Sequence, residues 1–115
     1  EHRRLEIGST WLARSVQGTG VNPQIKLLML ARAFEDLDCI AVEFRTHWHN
    51  HRSRRAIAAL GAKQDGVLRS NKRYRNGALL DAVLFSILRH EWPAVEAHLR
   101  HRLRHRHEAY RTSPE

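Results

Sequence analysis

A strand, a helix and a second strand follow one another in the first half of the chain. Residues 5–12 begin with alternating apolar side chains and continue with β-branched and aromatic residues, which predicts a strand. Asn22 and Pro23 form a helix-start signal, and apolar residues at helical spacing continue to residue 37. Residues 40–45 alternate again and predict the second strand. Because this order of elements joins through a right-handed crossover, we predict parallel pairing of the two strands.

Two more helices are predicted further along the chain. The first covers residues 53–60, and Gly61 is placed to end it in the left-handed conformation that glycine tolerates best. The second opens at residues 91–93, and we expect it to fray beyond His105. Its apolar stripe consists of Trp92, Val95, Leu99 and Leu103.

A hairpin is predicted between these two helices. Asn76 and Gly77 are the signal, because both central residues of a type I′ turn need positive φ. They join a strand within residues 66–74 to another over residues 79–88. The second strand is nearly all apolar, so we expect it in the centre of the sheet with both faces covered.

These elements predict an α+β fold with a mixed sheet of about four strands and three helices. We expect one domain over residues 1–107, followed by a flexible tail over residues 108–115. The N-terminus lacks an initiator Met, which indicates processing or truncation.

Composition excludes several classes of protein. With 42% hydrophobic and 28% charged residues, the chain is not a disordered acidic or basic tail. The longest apolar stretch, residues 25–37, is interrupted by charges and too short to span a bilayer, so no membrane partner is expected. Cys39 is alone and cannot form an intrachain disulfide, and we expect a cytoplasmic protein. The net charge of +8 favours an anionic partner without identifying it.

Glycines precede the first predicted helix. Gly18-Thr19-Gly20 lies between the first strand and Asn22, where backbone N–H groups and the helix dipole can hold a phosphate. The three-glycine dinucleotide fingerprint and the P-loop lysine are both absent. A tight turn without a ligand explains the same two glycines equally well.

Four segments in this order resemble the GNAT acetyltransferase superfamily, and within it the RimJ/RimL-like protein N-acetyltransferases. They are Asn-x-x-Ser to Leu-Gly-Ala over 50–62, Gly-Val-Leu-Arg at 66–69, Asp-x-Val-x-Phe-Ser-Ile-Leu at 81–88 and Glu-Trp-Pro at 91–93. The resemblance covers residues 5–103, and jointly the motifs are specific.

The resemblance implies acetyl-CoA as the cofactor. Its pyrophosphate would be held by the main-chain amides of Gln17, Gly18, Thr19, Gly20 and Val21. Ser15 stands where the family pattern has Gln or Arg, which removes one side-chain contact and leaves the backbone cradle. The preceding strand would pair with the pantetheine arm and supply an oxyanion donor. Its residues are Trp11, Leu12 and Ala13.

The resemblance also implies catalytic residues. Ser53 would protonate the leaving thiolate, because Ile57 stands where many members place a tyrosine, and Asn50 would hydrogen-bond the pantetheine. Glu43 is the candidate general base for the amine. Helix capping by Asn50 and Ser53 is the structural alternative, and an exposed strand carboxylate is the alternative for Glu43.

The family's first strand, two helices and next two strands have no counterpart in the sequence. They form one wall of the acceptor site. We therefore expect an acetyl-CoA-dependent N-acetyltransferase acting on a small-molecule or peptide amine, such as a protein N-terminus, with this chain as its cofactor-binding portion. The alternative is a catalytically silent CoA-binding or oligomerising fragment.

Histidines and arginines raise two further possibilities. His47, His49 and His51 alternate, and histidines recur near the C-terminus, but the adjacent arginines would repel a cation, so we expect no resident metal. The basic last helix could bind nucleic acid through phosphates. A solvated helix face explains such a run more often, so a nucleic-acid partner is the less favoured alternative.

The absence of those first strands predicts a homo-oligomer. The strand over residues 5–12 would keep an unpaired side, and such edges pair with other strands. We expect sedimentation velocity at micromolar concentration to show self-association, and a monomer alone would contradict this prediction.

Overall fold

A computed structural model describes residues 3–7, 21–73 and 76–112; for residues 21–23, 71–72 and 106–112 it describes the backbone alone. The chain alternates strands and helices in its first half and ends in a hairpin and a long helix. In order the elements are β1 (Arg3–Ile7), α1 (Val21–Ala31) with a π-helical turn (Arg32–Asp36), β2 (Cys39–His47), α2 (His51–Ala59), β3 (Lys63–Arg73), β4 (Leu79–Leu88), a 3-10 turn (Arg89–Glu91) and α3 (Trp92–Thr112).

The four strands form one mixed sheet in the order β1-β2-β4-β3. β1 pairs with β2 in parallel, and the β2/β4 and β3/β4 pairs are antiparallel. This confirms the predicted fold class, with four strands and three helices, and the central place of β4. β1 lies at the edge of the sheet within the described residues, and self-association through it stays a prediction.

One face of the sheet carries the core. Phe44 of β2 lies opposite Phe85 of β4, and Val42 lies opposite Ile87, so these side chains project to the same side. They cluster with apolar residues from all three helices, among them Leu30, Ile57 and Leu99. The stripe predicted on α3 is confirmed, since Trp92, Val95 and Leu99 are buried and Leu103 packs against the cluster.

Side chains on the other face of β1 and β2 are charged. Arg4 of β1 forms an ion pair with Glu43 of β2, and Glu6 lies 3.6 Å from Arg45. Alternation along each strand places these four residues on the side opposite Phe44. The two parallel strands are thus joined by backbone hydrogen bonds and by two ion pairs, one with its arginine on β1 and the other with its arginine on β2.

Gly61 ends α2 as predicted. Its φ of +98° is a conformation that residues with a side chain rarely adopt, and a Cβ there would lie 3.1 Å from Val95 Cγ2. The glycine therefore permits both the end of α2 and the close approach of α3.

The hairpin is present, but its turn differs from the prediction. Arg73 pairs with Leu79, so five residues connect the strands rather than the two of a type I′ turn. The carboxamide of Asn76 accepts a hydrogen bond from the backbone N–H of Ala78 at 3.0 Å, which makes a turn from a side chain. Only the positive φ of Gly77, +84°, agrees with the expected geometry.

Helix boundaries also differ from those predicted. α1 begins at Val21, so Pro23 lies within its first turn, where a missing N–H costs nothing. α2 begins at His51 because Asn50 caps it. α3 is described as helix to Thr112, and the arginine, glutamate and alanine in its last turns favour helix. Fraying beyond His105 and a flexible tail over residues 108–115 stay predictions. A domain boundary at residue 107 stays a prediction. No described helix is long and apolar enough to cross a bilayer.

Glu91 ties the start of α3 to β3 and β4. Its Oε1 accepts from the N–H of Leu88 at 2.9 Å, and its Oε2 lies 2.8 Å from Lys63 Nζ. The hydrogen bond from Lys63 and that from Leu88 lower the pKa of Glu91 below its ordinary value of 4.5. Since the ionised form is the one favoured by folding, this stabilisation is present above pH 4.5 and is lost as the pH falls through the lowered pKa.

We predict that Glu91→Gln lowers the free energy of unfolding by about 0.5–1 kcal/mol at pH 7. The carboxamide oxygen can still accept from the N–H of Leu88, but this bond loses the charge that strengthens it, and the exposed pair with Lys63 contributes little. Urea denaturation at several pH values should show the difference shrinking in acid. The control is Asp36→Asn, which removes an exposed ion pair with Arg32 and should change stability by less than about 0.5 kcal/mol. A deficit independent of pH would contradict the prediction.

Candidate functional site

Two strand ends and two helix starts meet at one edge of the sheet. β1 and β2 are parallel, so Ile7 and His47 end at the same edge. α1 begins at Val21 after the connection from β1, and α2 begins at His51 after β2. Free backbone N–H groups at helix starts and the crevice beyond parallel strand ends are favourable for binding anionic ligands. This edge is the candidate site.

Most of the predicted cofactor-binding residues lie outside the described residues. These are Trp11, Leu12, Ala13, Gln17, Gly18, Thr19 and Gly20. Val21 is described as the first residue of α1. The predicted phosphate-binding segment therefore joins the end of β1 to the start of α1, and its contacts stay predictions.

Asn50 is the N-cap of α2. Its Oδ1 accepts from the backbone N–H of Ser53 at 3.1 Å. This is the capping alternative that the sequence left open. Capping occupies the oxygen of the carboxamide and leaves Nδ2, a hydrogen-bond donor, as the atom suited to a ligand carbonyl. A pantetheine contact from Asn50 is compatible with its structural role.

The hydroxyl of Ser53 is buried without a hydrogen-bond partner among the described residues. Ser53 is 2% exposed and shares a helix face with Ile57, which is in the core. The hydroxyl of Thr46 on β2 is also buried without a hydrogen-bond partner among the described residues. A buried polar group without a partner costs about 1–3 kcal/mol, so the partner of each hydroxyl is to be sought in a ligand, in water or in the parts of the chain outside the described residues. An unpartnered hydroxyl fits the proton-donor role that an acyl-CoA thiolate requires.

Glu43 is placed differently from Ser53. Its carboxylate pairs with Arg4, and its side chain is 38% exposed. Alternation along β2 directs it away from the core face, on which Phe44 packs with Ile57. To act as a base, Glu43 would have to exchange Arg4 for a substrate amine, so its catalytic role stays a prediction.

His47, Trp48 and Arg54 are site residues that the sequence analysis did not assign to this site. Burial lowers the pKa of His47 and the neighbouring His49 lowers it further, which favours a neutral imidazole near pH 7. The guanidinium of Arg54 lies 4.2 Å from the ring centroid of Trp48 and donates to its backbone carbonyl. The alternation of histidines over residues 47–51 was the only sequence signal here. Across 3–7, 21–73 and 76–112, no three His, Cys, Asp or Glu side chains are grouped as a metal site needs.

Comparison with known proteins identifies the family. Residues 1–63, more than half of the 115 residues, match the Acetyltransferase (GNAT) domain. The chain belongs to the GNAT acetyltransferase family. Enzymes of this family use acetyl-CoA, and the resemblance to the RimJ/RimL-like branch is confirmed.

Relatives of this GNAT chain are about twice its length. It is 31% identical over 91 residues to the "Putative ribosomal N-acetyltransferase YdaF" of Bacillus subtilis, which covers 79% of this chain and 49% of the relative. A "putative acetyltransferase" from T. thermophilus is 46% identical, with a TM-score of 0.68 over 76% of this chain and 46% of that one. Mycobacterium smegmatis RimJ in complex with CoA-disulfide is 25% identical, with a TM-score of 0.61 over 72% of this chain and 39% of that one.

We predict opposite effects on stability for two substitutions in this GNAT site. Asn50→Ala removes the α2 cap and should cost about 1 kcal/mol. Ser53→Ala removes a hydroxyl without a partner and should be neutral, or stabilising by up to about 1 kcal/mol. Urea denaturation of the ligand-free chain measures both, and Thr46→Val serves as a parallel case. A clear loss of stability in Ser53→Ala would show that the hydroxyl is satisfied within the fold.

Proposed function

We propose that the complete protein transfers an acetyl group from acetyl-CoA to an amine, and that this chain supplies the cofactor-binding half. The observation that carries the proposal is the buried hydroxyl of Ser53, which has no hydrogen-bond partner in the part of the chain that the structure describes. Ser53 lies two residues inside the α2 start, at the edge where β1 and β2 end. The family assignment and the CoA-disulfide complex of M. smegmatis RimJ support the choice of cofactor.

Acetyl-CoA, when bound, supplies an activated acyl carbon and a sulfur leaving group. In the proposed reaction the amine nitrogen bonds to that carbon, the carbon–sulfur bond breaks, and the proton lost by the amine is balanced by one gained at sulfur. Ser53 Oγ would donate the proton to sulfur. Asn50 Nδ2 would donate to the pantetheine and orient the arm. The main-chain amides of residues 17–21 would hold the pyrophosphate.

The amine must be neutral to attack, so a proton acceptor is required. Glu43 remains the proposed base, with Arg4 as its partner when no amine is bound. The B. subtilis relative is named a ribosomal N-acetyltransferase. We therefore propose a peptide α-amine as the acceptor, selected mostly by parts of the domain beyond this chain.

A second candidate function is CoA binding without transfer. The chain covers about half the length of its relatives. The family resemblance implies that a wall of the acceptor site belongs to the part of the domain outside this chain. The 115-residue chain alone would then bind the cofactor and leave the amine unpositioned. Both functions predict that CoA binds, and only the first predicts turnover of acetyl-CoA.

We predict that the 115-residue chain binds CoA in calorimetry and that Gly20→Val weakens this binding more than tenfold, because a side chain would block the approach of the backbone to the pyrophosphate. Gly66→Val is the matched control: a Cβ at Gly66 meets nothing within 4 Å, so binding should be unchanged. Acetyl-CoA turnover with a panel of amines and N-terminal peptides should accompany the binding. Binding without turnover would favour the second function, and equal binding by both variants would overturn the phosphate site.

A further inference from the structure

The outer surface of α3 is strongly basic. Residues 98–107 contain four arginines and four histidines and no acidic residue. Trp92, Val95 and Leu99 are buried in the core and Leu103 packs against it, so the exposed side chains described on α3 lie on its other side. We call the exposed cationic positions the basic helix face; they are His98, Arg100, His101, Arg102, Arg104 and His105.

These side chains form three rows along the helix, and each row contains two basic residues four positions apart. Residues four apart share a helix face, so Arg104 follows Arg100, His105 follows His101, and Arg102 follows His98. The rings of His101 and His105 are in edge contact, with centroids 4.4 Å apart. Like charges at this spacing destabilise a helix, whereas an ordinary solvated helix face alternates acids with bases. The repeated basic residues therefore lower the stability of the helix, and folding alone gives no reason for them.

Carboxylates balance little of this charge. Among the residues that the structure describes, Arg100 pairs with Glu96 at 2.9 Å, and the other positions of the basic helix face have no ion pair. Arg102 donates to the backbone carbonyl of Ala59 at 2.8 Å. Burial lowers the pKa of Lys26 on α1, and Arg102 lowers it further. Positive charge therefore extends from α3 to α1, and Glu96 is the one carboxylate that pairs with the basic helix face within the described residues.

We propose that the basic helix face binds the phosphodiester backbone of a nucleic acid. Its cations are arginines and histidines without a lysine, and the guanidinium fork matches phosphate oxygens. A membrane surface is the other polyanion to consider, but an interfacial helix must insert an apolar face. The apolar stripe of α3 is already buried in the core, so only the charged face is available. None of the residues given a role in the proposed acetyl transfer belongs to this surface.

The test is fluorescence anisotropy with labelled RNA and DNA duplexes of about 20 base pairs, titrated with the 115-residue chain at several salt concentrations. Arg104→Gln should reduce the slope of log binding constant against log salt by about 0.9, and Arg104→Glu should reduce it further. Arg69→Gln and Arg69→Glu are matched controls, since Arg69 is exposed on β3 and gives the same change of net charge. Both controls should keep the slope of the parent chain.

Glutamine and glutamate are good helix formers, so circular dichroism should show unchanged helix content in the variants. Equal slopes for RNA and DNA would support recognition of the shared backbone, and a higher affinity for RNA would support the same surface with an A-form preference. If the slopes fall equally in the Arg69 controls, binding depends on the net charge of the chain and not on the basic helix face, and the proposal is overturned. Binding to anionic phosphatidylserine vesicles without binding to either duplex would also overturn it.

Discussion

Parallel pairing of β1 with β2 is the constraint on which the rest of the structure depends. Leu5 pairs with Val42 and Ile7 with Phe44, so both strands run toward the same edge of the sheet. A parallel pair requires a crossover, and α1 provides it. The crossover necessarily brings the start of α1 to the edge where β1 ends, and α2 starts at the same edge because it follows β2. An anion-binding position is therefore a consequence of connectivity, before any catalytic side chain is considered.

The elements that could be predicted from the sequence are those with local causes. The run over residues 79–88 matches β4 because a central strand of a sheet carries nearly continuous apolar residues, although Leu79 is exposed at its start. Gly61 matches because few residues adopt its φ. The turn at Asn76 was wrong because a side chain accepts the backbone hydrogen bond there. The start of α2 was misplaced for a similar reason, since Asn50 provides its cap. In both places an asparagine side chain accepts a hydrogen bond from a backbone N–H, and this bond, more than the hydrophobic pattern, sets where the turn or helix lies.

Site chemistry depended on contacts distant in sequence. The pairing of Glu43 with Arg4 joins residues 39 positions apart, and no local pattern indicates it. The unpartnered hydroxyl of Ser53 is likewise visible only when its surroundings are known. A serine at the third position of a helix predicts an ordinary capping role, whereas the same serine buried against the core, with no partner among the described residues, gives a reason to propose a ligand contact. Family resemblance named the residue, and burial supplies the physical reason to test it.

The two proposed anionic ligands, a pyrophosphate at the α1 start and a nucleic acid on α3, would be bound by different interactions. Lys26 lies five residues into α1, about 7.5 Å along the axis from Val21. The Debye length is about 8 Å at physiological salt, so the charge of Lys26 is only partly screened at the α1 start, and it acts there more strongly at low salt. A pyrophosphate held by main-chain N–H groups depends on backbone geometry, whereas a polyanion on α3 depends on counterion release. Salt therefore separates the two binding events within one small fold.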